Sequence, residues 1–407
     1  MNPNLTRLQR YPFERLSDLK HGLTGPVDKP HIAWSIGEPK HPAPEFVAHV
    51  LAENLAGLGA YPPTKGLASL REAICHWAIA RYELAPDGLN PEQQVLPVSG
   101  TREALFAFAQ TVVDGTTRPQ VLMPNPFYQI YEGAALLAGA EPYYLNCEQS
   151  NDFVPDLDAV PESVWQRCQL IYVCTPGNPT GAVLSEAFFK QLLELADRYD
   201  FVIASDECYS EIYLDETAPP LGLLQACARL GRDDFSRCMV FNSLSKRSSL
   251  PGLRSGFVAG DANLIRAFLL YRTYHGCALS LIAQAVSTAA WSDEAHVVEN
   301  RQRYQAKFRA VVPILETVMD VQTPPAGFFL WPQIAGTDLA GKNDYADDEG
   351  FTRRLFQQQH VTVLPGSYLA RDTVTGNPGR GRVRMALVAP LSECIEAAQR
   401  IKIFIEP

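Results

Sequence analysis

The sequence predicts an α/β fold: a mainly parallel, seven-stranded sheet in a large unit, followed by a smaller α/β unit. Three observations lead there. Seven short β-rich runs recur between residues 94 and 259. Several of them are separated by stretches whose apolar residues have helical spacing, and such alternation implies parallel strands covered by helices. The 407 residues allow about two or three structural units at ~150 residues each.

The elements follow in order. Residues 1–30 form a polar arm interrupted by glycine and proline, and residues 31–60 are assigned to the arm or to the smaller unit. The large unit spans 61–292. Its expected strands are Gln94–Val98, Gln120–Met123, Pro142–Leu145, Leu170–Cys174, Phe201–Ser205, Met239–Asn242 and Gly256–Ala259. Most are flanked by Pro, Gly, Asn or Asp, as strand ends should be. Phe188, Leu192, Leu193 and Leu195 fit one apolar face of a helix over Glu186–Tyr199. Near Trp291 the pattern changes. A charged helical stretch, Asp293–Arg309, connects to a smaller unit within 293–407, with strands at Gly327–Trp331, Val361–Leu364 and Arg382–Val388 and a closing helix at Leu391–Phe404.

Composition narrows the function classes. Hydrophobic residues at 46% and charged residues at 20% exclude wholesale disorder. Thirty-five basic against 45 acidic residues give −10, which argues against an electrostatic nucleic-acid binder. No apolar run reaches the ~18 residues of a membrane span. The N-terminal MNPNLTRLQRYPFERL lacks the apolar core of a secretory signal, so a cytoplasmic location is expected. The nine cysteines are scattered, without a CxxC pair, and read as buried free thiols. The eight histidines form no close metal pattern; His76 and His275 read as structural, and no metal is expected. Gly336–Asn343 nearly spells a P-loop, but Asn343 replaces the Ser or Thr and an acidic segment follows, so it reads as a surface loop. There is no GxGxxG and no GxSxG.

The chemistry concentrates in Asn242-Ser-Leu-Ser-Lys-Arg-Ser-Ser-Leu-Pro-Gly-Leu-Arg-Ser-Gly256. Ser243 and Ser245 can donate to a phosphate, and Arg254 can grip two of its oxygens. Lys246 then stands where a Schiff-base enzyme needs an amine, beside a phosphate-anchored aldehyde. Ser99-Gly100-Thr101 ends a strand and opens a helix over Thr101–Val113, where backbone N–H groups favour an anion; an ordinary N-cap explains it equally well alone.

The lysine segment resembles the SxSKxxxxPGxRxG motif of fold-type I, class I/II aminotransferases. Further segments stand in the family's order: Ser35-Ile-Gly37-Glu-Pro39, Tyr61-Pro-Pro-Thr-Lys-Gly, Ser99-Gly-Thr101, Pro126-Phe-Tyr128, Asn178-Pro-Thr-Gly181, Asp206-Glu-Cys-Tyr209 and Arg384. Together they span roughly residues 30–390.

The resemblance implies a pyridoxal 5′-phosphate enzyme acting on amino-acid and keto-acid substrates, 2-oxoglutarate among them. Lys246 would carry the cofactor and move the reacting proton, which requires a pKa below the usual ~10.4 of lysine. Gly100, Thr101 and Arg102 would cup the phosphate together with Ser243, Ser245 and Arg254. Tyr128 would stack on the pyridine face, with Phe127 the competing ring. Asp206 would face the pyridine nitrogen, and Asn178 and Tyr209 the phenolic oxygen. Gly37, Asn178 and Arg384 would bind substrate, Arg384 through its α-carboxylate, with Arg382 as the second candidate. Tyr61 would reach the cofactor phosphate of a second subunit, which makes the protein a homodimer with shared sites. Lys65 would supply a cation at that shared opening.

The segments Tyr11-Pro-Phe-Glu-Arg-Leu16, Pro124–Tyr131 and Val383–Val388 resemble the bacterial N-succinyldiaminopimelate aminotransferases of lysine biosynthesis. An aminotransferase of other specificity (aspartate, aromatic) or a C–S lyase of the same fold would share every residue named.

Overall fold

The computed structural model describes residues 1–334 and 347–406; the near-P-loop Gly336–Asn343 lies outside them. The strands are β1 (Ile32–Ala33), β2 (Val95–Val98), β3 (Gln120–Asn125), β4 (Glu141–Asn146), β5 (Cys168–Cys174), β6 (Val202–Asp206), β7 (Cys238–Ser243), β8 (Gly256–Gly260), β9 (Phe329–Leu330), β10 (Val361–Thr362), β11 (Leu364–Pro365) and β12 (Val383–Ala386).

Seven of them form one sheet in the order β2-β8-β7-β6-β5-β3-β4. β3 to β7 are mutually parallel, and β8 runs antiparallel between β2 and β7. All seven expected strands are present within two residues. They were readable because β3, β7 and β8 are buried at every position, so both faces must be apolar. Alternate residues serve two cores. Ile171, Val173, Ile203 and Val240 pack beneath Phe189, Leu192 and Leu193. Leu170, Tyr172, Ala204 and Met239 pack with Leu105, Phe108 and Phe268 on the other face. The helix Glu186–Tyr199 matches its expected bounds; Ser185 caps it by accepting from the Phe188 N–H, and Asp200 closes it in the left-handed region.

A three-stranded antiparallel sheet (β11-β12-β9) and a parallel pair (β1-β10) make up the second layer. The single strand expected over Val361–Leu364 is two strands in different sheets. The chain changes partner at Val363, which is fully buried: β10 bonds to β1, and β11 to β12. The long helix runs Ala295–Leu315, past its expected end, with Pro313 inside its last turn. Residues 31–60 divide their packing. Ile32 and Trp34 join Phe308, Val311, Val383 and Ile401 in the second core, whereas Val47 of the helix Phe46–Glu53 joins the sheet's core. All nine cysteines are free thiols. Among the described residues no helix is long and apolar enough to cross a membrane.

Candidate active site

A cavity of about 610 Å³ opens where the parallel strands end. β5, β6 and β7 finish side by side, with Cys174 opposite Asp206 and Asp206 opposite Phe241. Asn178 follows the first strand, Asp206 ends the second, and Ser243 ends the third. The carboxyl ends of strands are where open α/β sheets bind ligands.

Asp206 is buried, and burial pushes its pKa up. Two donors oppose that shift: the Tyr131 hydroxyl at 2.6 Å and the Cys208 N–H at 3.3 Å. The Tyr131 ring is itself fixed by stacking on Tyr172, 4.6 Å away. Sequence reasoning assigned Tyr131 no role; its one signal was its place three residues beyond Tyr128, on the same side of a helical turn.

β7 runs into a single helical turn, Leu244–Arg247. Ser243 starts it by accepting from the Ser245 N–H and also bonds the Ser245 hydroxyl at 3.0 Å. The turn aims Lys246 into the cavity, where its Nζ donates to the Gly37 carbonyl at 2.6 Å. Burial lowers the Lys246 pKa to about 8, and the charges of Arg384 and Arg254 add to that effect.

Thr101, Ser243, Ser245 and Arg254 line one part of the cavity. Thr101 begins the helix Thr101–Val112, whose free N–H groups suit an anion. Gly100 precedes it at φ +86°, where a Cβ would lie 2.5 Å from Arg254 Nη2. Glycine there keeps the arginine close to the helix start. Arg102 sends its guanidinium elsewhere: Nε donates to the Tyr128 hydroxyl at 2.7 Å and Nη2 to the Tyr11 hydroxyl at 3.1 Å.

Tyr128 lines the cavity. Phe127 does not: it is buried, stacked on Tyr144, with the Arg371 guanidinium 5.2 Å from its ring. Tyr209 is buried and meets Phe328 and Phe329 edge-on. Arg384, on β12, donates to the Ser35 carbonyl at 2.7 Å and to Asn178 Oδ1 at 3.1 Å. Its Nε is buried with no partner among the described residues, and burial lowers its pKa to about 10. Arg382 points away from the cavity, to the Trp331 carbonyl and the Gln149 side chain.

Two expected residues lie outside the cavity of their own chain. Tyr61 is fully exposed. Lys65, expected as a cation at the opening shared with a second subunit, pairs with Glu92 at 2.6 Å, a carboxylate that also holds Arg71. The lining that sequence reasoning missed comes from distant segments, notably Tyr11 and Phe13 of the arm, Glu38, and Gln129. The fold also brings Glu103, His275 and Cys277 within metal-ligand spacing, although both Glu103 oxygens are engaged by Arg272, at 2.7 and 2.8 Å.

A lysine of lowered pKa, a buried acid, a hydroxyl-lined helix start and a buried guanidinium, arranged on this sheet, define a fold-type I aminotransferase architecture. The chain belongs to the aminotransferase class I and II family, whose model matches residues 29–401. Enzymes of that family use pyridoxal 5′-phosphate. An LL-diaminopimelate aminotransferase of Dehalococcoides mccartyi is 30% identical over 366 residues, covering 88% of this chain and 87% of that protein. The structure of an aminotransferase from Neisseria meningitidis superposes with a TM-score of 0.93 at 48% identity, covering 99% of this chain and all of the other. A probable N-succinyldiaminopimelate aminotransferase from Thermus thermophilus gives 0.81 at 25% identity, covering 96% and 99%.

Proposed function

We propose that this protein transfers the amino group of N-succinyl-LL-2,6-diaminopimelate to 2-oxoglutarate, a step of lysine biosynthesis. The residues fit the family's cofactor. The Gly100 backbone, which a Cβ would block against Arg254, leaves a cradle of hydroxyls, helix N–H groups and a guanidinium for a phosphate. Asp206 would meet the ring nitrogen, Asn178 and Tyr209 the phenolic oxygen, and Tyr128 the ring face. Bound there, pyridoxal phosphate supplies an electron sink for the bond broken at the substrate α-carbon.

The protein's own groups do the rest. Arg384, which lines the cavity, would orient the α-carboxylate through its guanidinium fork. Lys246, with a pKa of about 8, would take the proton from the substrate α-carbon and deliver it to the cofactor's C4′ carbon near neutral pH. Tyr131 keeps Asp206 charged by donating to it. Tyr61, exposed in one chain, serves the neighbouring site of a homodimer.

One observation carries the substrate reading. Arg102 stands in the cavity wall with two phenol hydroxyls and no carboxylate among its described hydrogen-bond partners. It is a second cation for a substrate that bears carboxylates far from the reacting centre. The similarity to the LL-diaminopimelate aminotransferase of Dehalococcoides mccartyi favours unmodified LL-diaminopimelate as the second reading, and Glu38 in the lining would suit its distal ammonium.

A substrate panel decides. The succinylated compound is expected to give the highest kcat/KM, ahead of LL-diaminopimelate, aspartate and aromatic amino acids, with keto acid and aminated cofactor formed in equal amounts in the half-reaction. A preference for free LL-diaminopimelate moves the assignment to the second reading. Catalytic release of ammonia and pyruvate would replace transamination by a lyase.

A further inference from the structure

Behind the lysine turn lies a buried hydrogen-bond chain that the reaction described above does not use. Asn300, on the long helix Ala295–Leu315, donates through Nδ2 to the carbonyls of Lys246 and Arg247, at 3.0 and 3.1 Å. Those are two of the carbonyls that a helical turn leaves without a partner at its C-terminal end. His41 Nδ1 lies 2.7 Å from Asn300 Oδ1, and Lys307 Nζ lies 2.7 Å from His41 Nε2. Lys307 also donates to the Val388 carbonyl at 3.2 Å. Asn300 and Lys307 are both buried.

Only one set of proton positions satisfies this chain. Asn300 must point its NH₂ at two carbonyls, so its oxygen accepts. His41 Nδ1 therefore carries the hydrogen, and Nε2, the one lone pair left on the neutral ring, accepts from Lys307 Nζ, whose own pKa burial lowers to about 8. A neutral imidazole is required, and burial with nearby cations holds the His41 pKa near 4. The donors thus run one way: Lys307 to His41, His41 to Asn300, Asn300 to the backbone of Lys246.

The two ends of the chain are informative. Val388 lies two residues beyond β12, the strand that carries Arg384. His41 lies four residues beyond Gly37, whose carbonyl accepts from Lys246 Nζ, and the Ser249 hydroxyl ties the His41 carbonyl to the lysine loop at 3.0 Å. The His41 ring also packs 4.5 Å from Tyr304, which stacks on Phe328, and Phe328 lies 5.5 Å from Lys246 Nζ.

We propose that Asn300, oriented by His41 and Lys307, is a positioning residue that fixes the backbone of Lys246 and so the place and solvation of its amine. The proposal rests on Lys246 being the reactive lysine, and it is independent of which amino acid is the substrate. A displacement of about 1 Å at a reacting group costs on the order of 100-fold in rate, whereas Asn300 and His41 themselves make no hydrogen bond to the strand of Arg384.

The test uses the full-length protein and two readouts. In cofactor-free protein, pulse acetylation of Lys246 is followed by peptide mass mapping across pH. In loaded enzyme, kcat and KM are measured. Asn300→Ala and His41→Leu are expected to raise the pH midpoint of Lys246 labelling above that of wild type and to lower kcat about 100-fold, with KM for the amino donor within about threefold. His41→Gln offers one donor and one acceptor in the same order and is expected to restore most of kcat and the labelling midpoint. A variant that melts lower yet labels and turns over like wild type makes Asn300 a helix cap alone and overturns the proposal. Should Asn300→Ala fail to fold, the comparison of His41→Leu with His41→Gln decides: equal loss in both overturns it. Activity surviving in Lys246→Ala would instead remove the lysine assignment itself.

Discussion

Arg384→Ala tests how substrate is gripped. The side chain is 5% exposed, and its guanidinium holds the Ser35 carbonyl and Asn178 while leaving Nε without a partner. In the proposed reading an incoming carboxylate would meet a desolvated guanidinium, the setting in which a charge-assisted pair is strong. Removing one partner of a buried charge pair costs about 2–5 kcal/mol. At ~1.36 kcal/mol per tenfold, kcat/KM should fall roughly 30- to 5,000-fold. Near-complete burial and two-pronged geometry place the expectation in the upper part of that range. Arg384→Lys should recover little, because one ammonium cannot reproduce the fork. The assay is kcat/KM for several amino acids and keto acids, and the loss should be uniform, since all share the α-carboxylate. A loss confined to some substrates, or the same loss in Arg382→Ala with Arg384→Ala unaffected, would refute the reasoning. Stability should move differently. Burial has already lowered the Arg384 pKa to about 10, so the charge is costly before substrate binds. Arg384→Met should therefore melt at or above the wild-type temperature in cofactor-free protein.

Lys246→Ala should keep the fold, as judged by circular dichroism, while losing transamination and any cofactor fixable by borohydride; fixation at another lysine would contradict the assignment. Tyr131→Phe removes a donor that favours the charged form of Asp206, so the carboxyl pKa rises further and the acidic limb of the kcat/KM profile should shift to higher pH; an unmoved limb would separate Asp206 from catalysis. Lys246 loses its proton at about 8 when folded against 10.5 ordinarily. Between those values the unfolded chain binds more protons, so stability gains with rising pH. Denaturant titrations should show wild type improving relative to Lys246→Met from about pH 8 to 10, and a flat difference would mean that the amine is not desolvated. Mixing Lys246→Ala with Tyr61→Ala subunits should restore part of the activity through heterodimers with one intact site; no recovery after verified subunit exchange would argue against a shared site.

The sheet was legible because strands buried on both faces leave near-continuous apolar runs, and because Pro, Gly, Asn and Asp mark their ends. The split of Val361–Leu364 into β10 and β11 was not, since the choice between two sheets is made by partners far along the chain. At the site, residues that lie in contiguous motifs were legible: Asp206, Ser243, Lys246 and Arg254 lie at or beyond adjacent strand ends. Tyr11, Tyr131, His41 and Asn300 were not, because each matters through a contact with a segment remote in sequence. Lys65 is a further case: its pairing with Glu92, a carboxylate 27 residues further along, is set by the fold and not by its own segment.

The pairing of β6 with β7 has an evolutionary consequence. Asp206 and the lysine turn hang from neighbouring strands locked in register, whereas Arg384 hangs from a different sheet and the mouth is built from the arm and loops. Mutations that reshape the mouth therefore leave the spacing between acid and lysine unaltered. Lineages descended from such a scaffold can drift toward new amino acids without passing through inactive forms, and kindred enzymes should differ first in arm and loop residues and last in the strand ends.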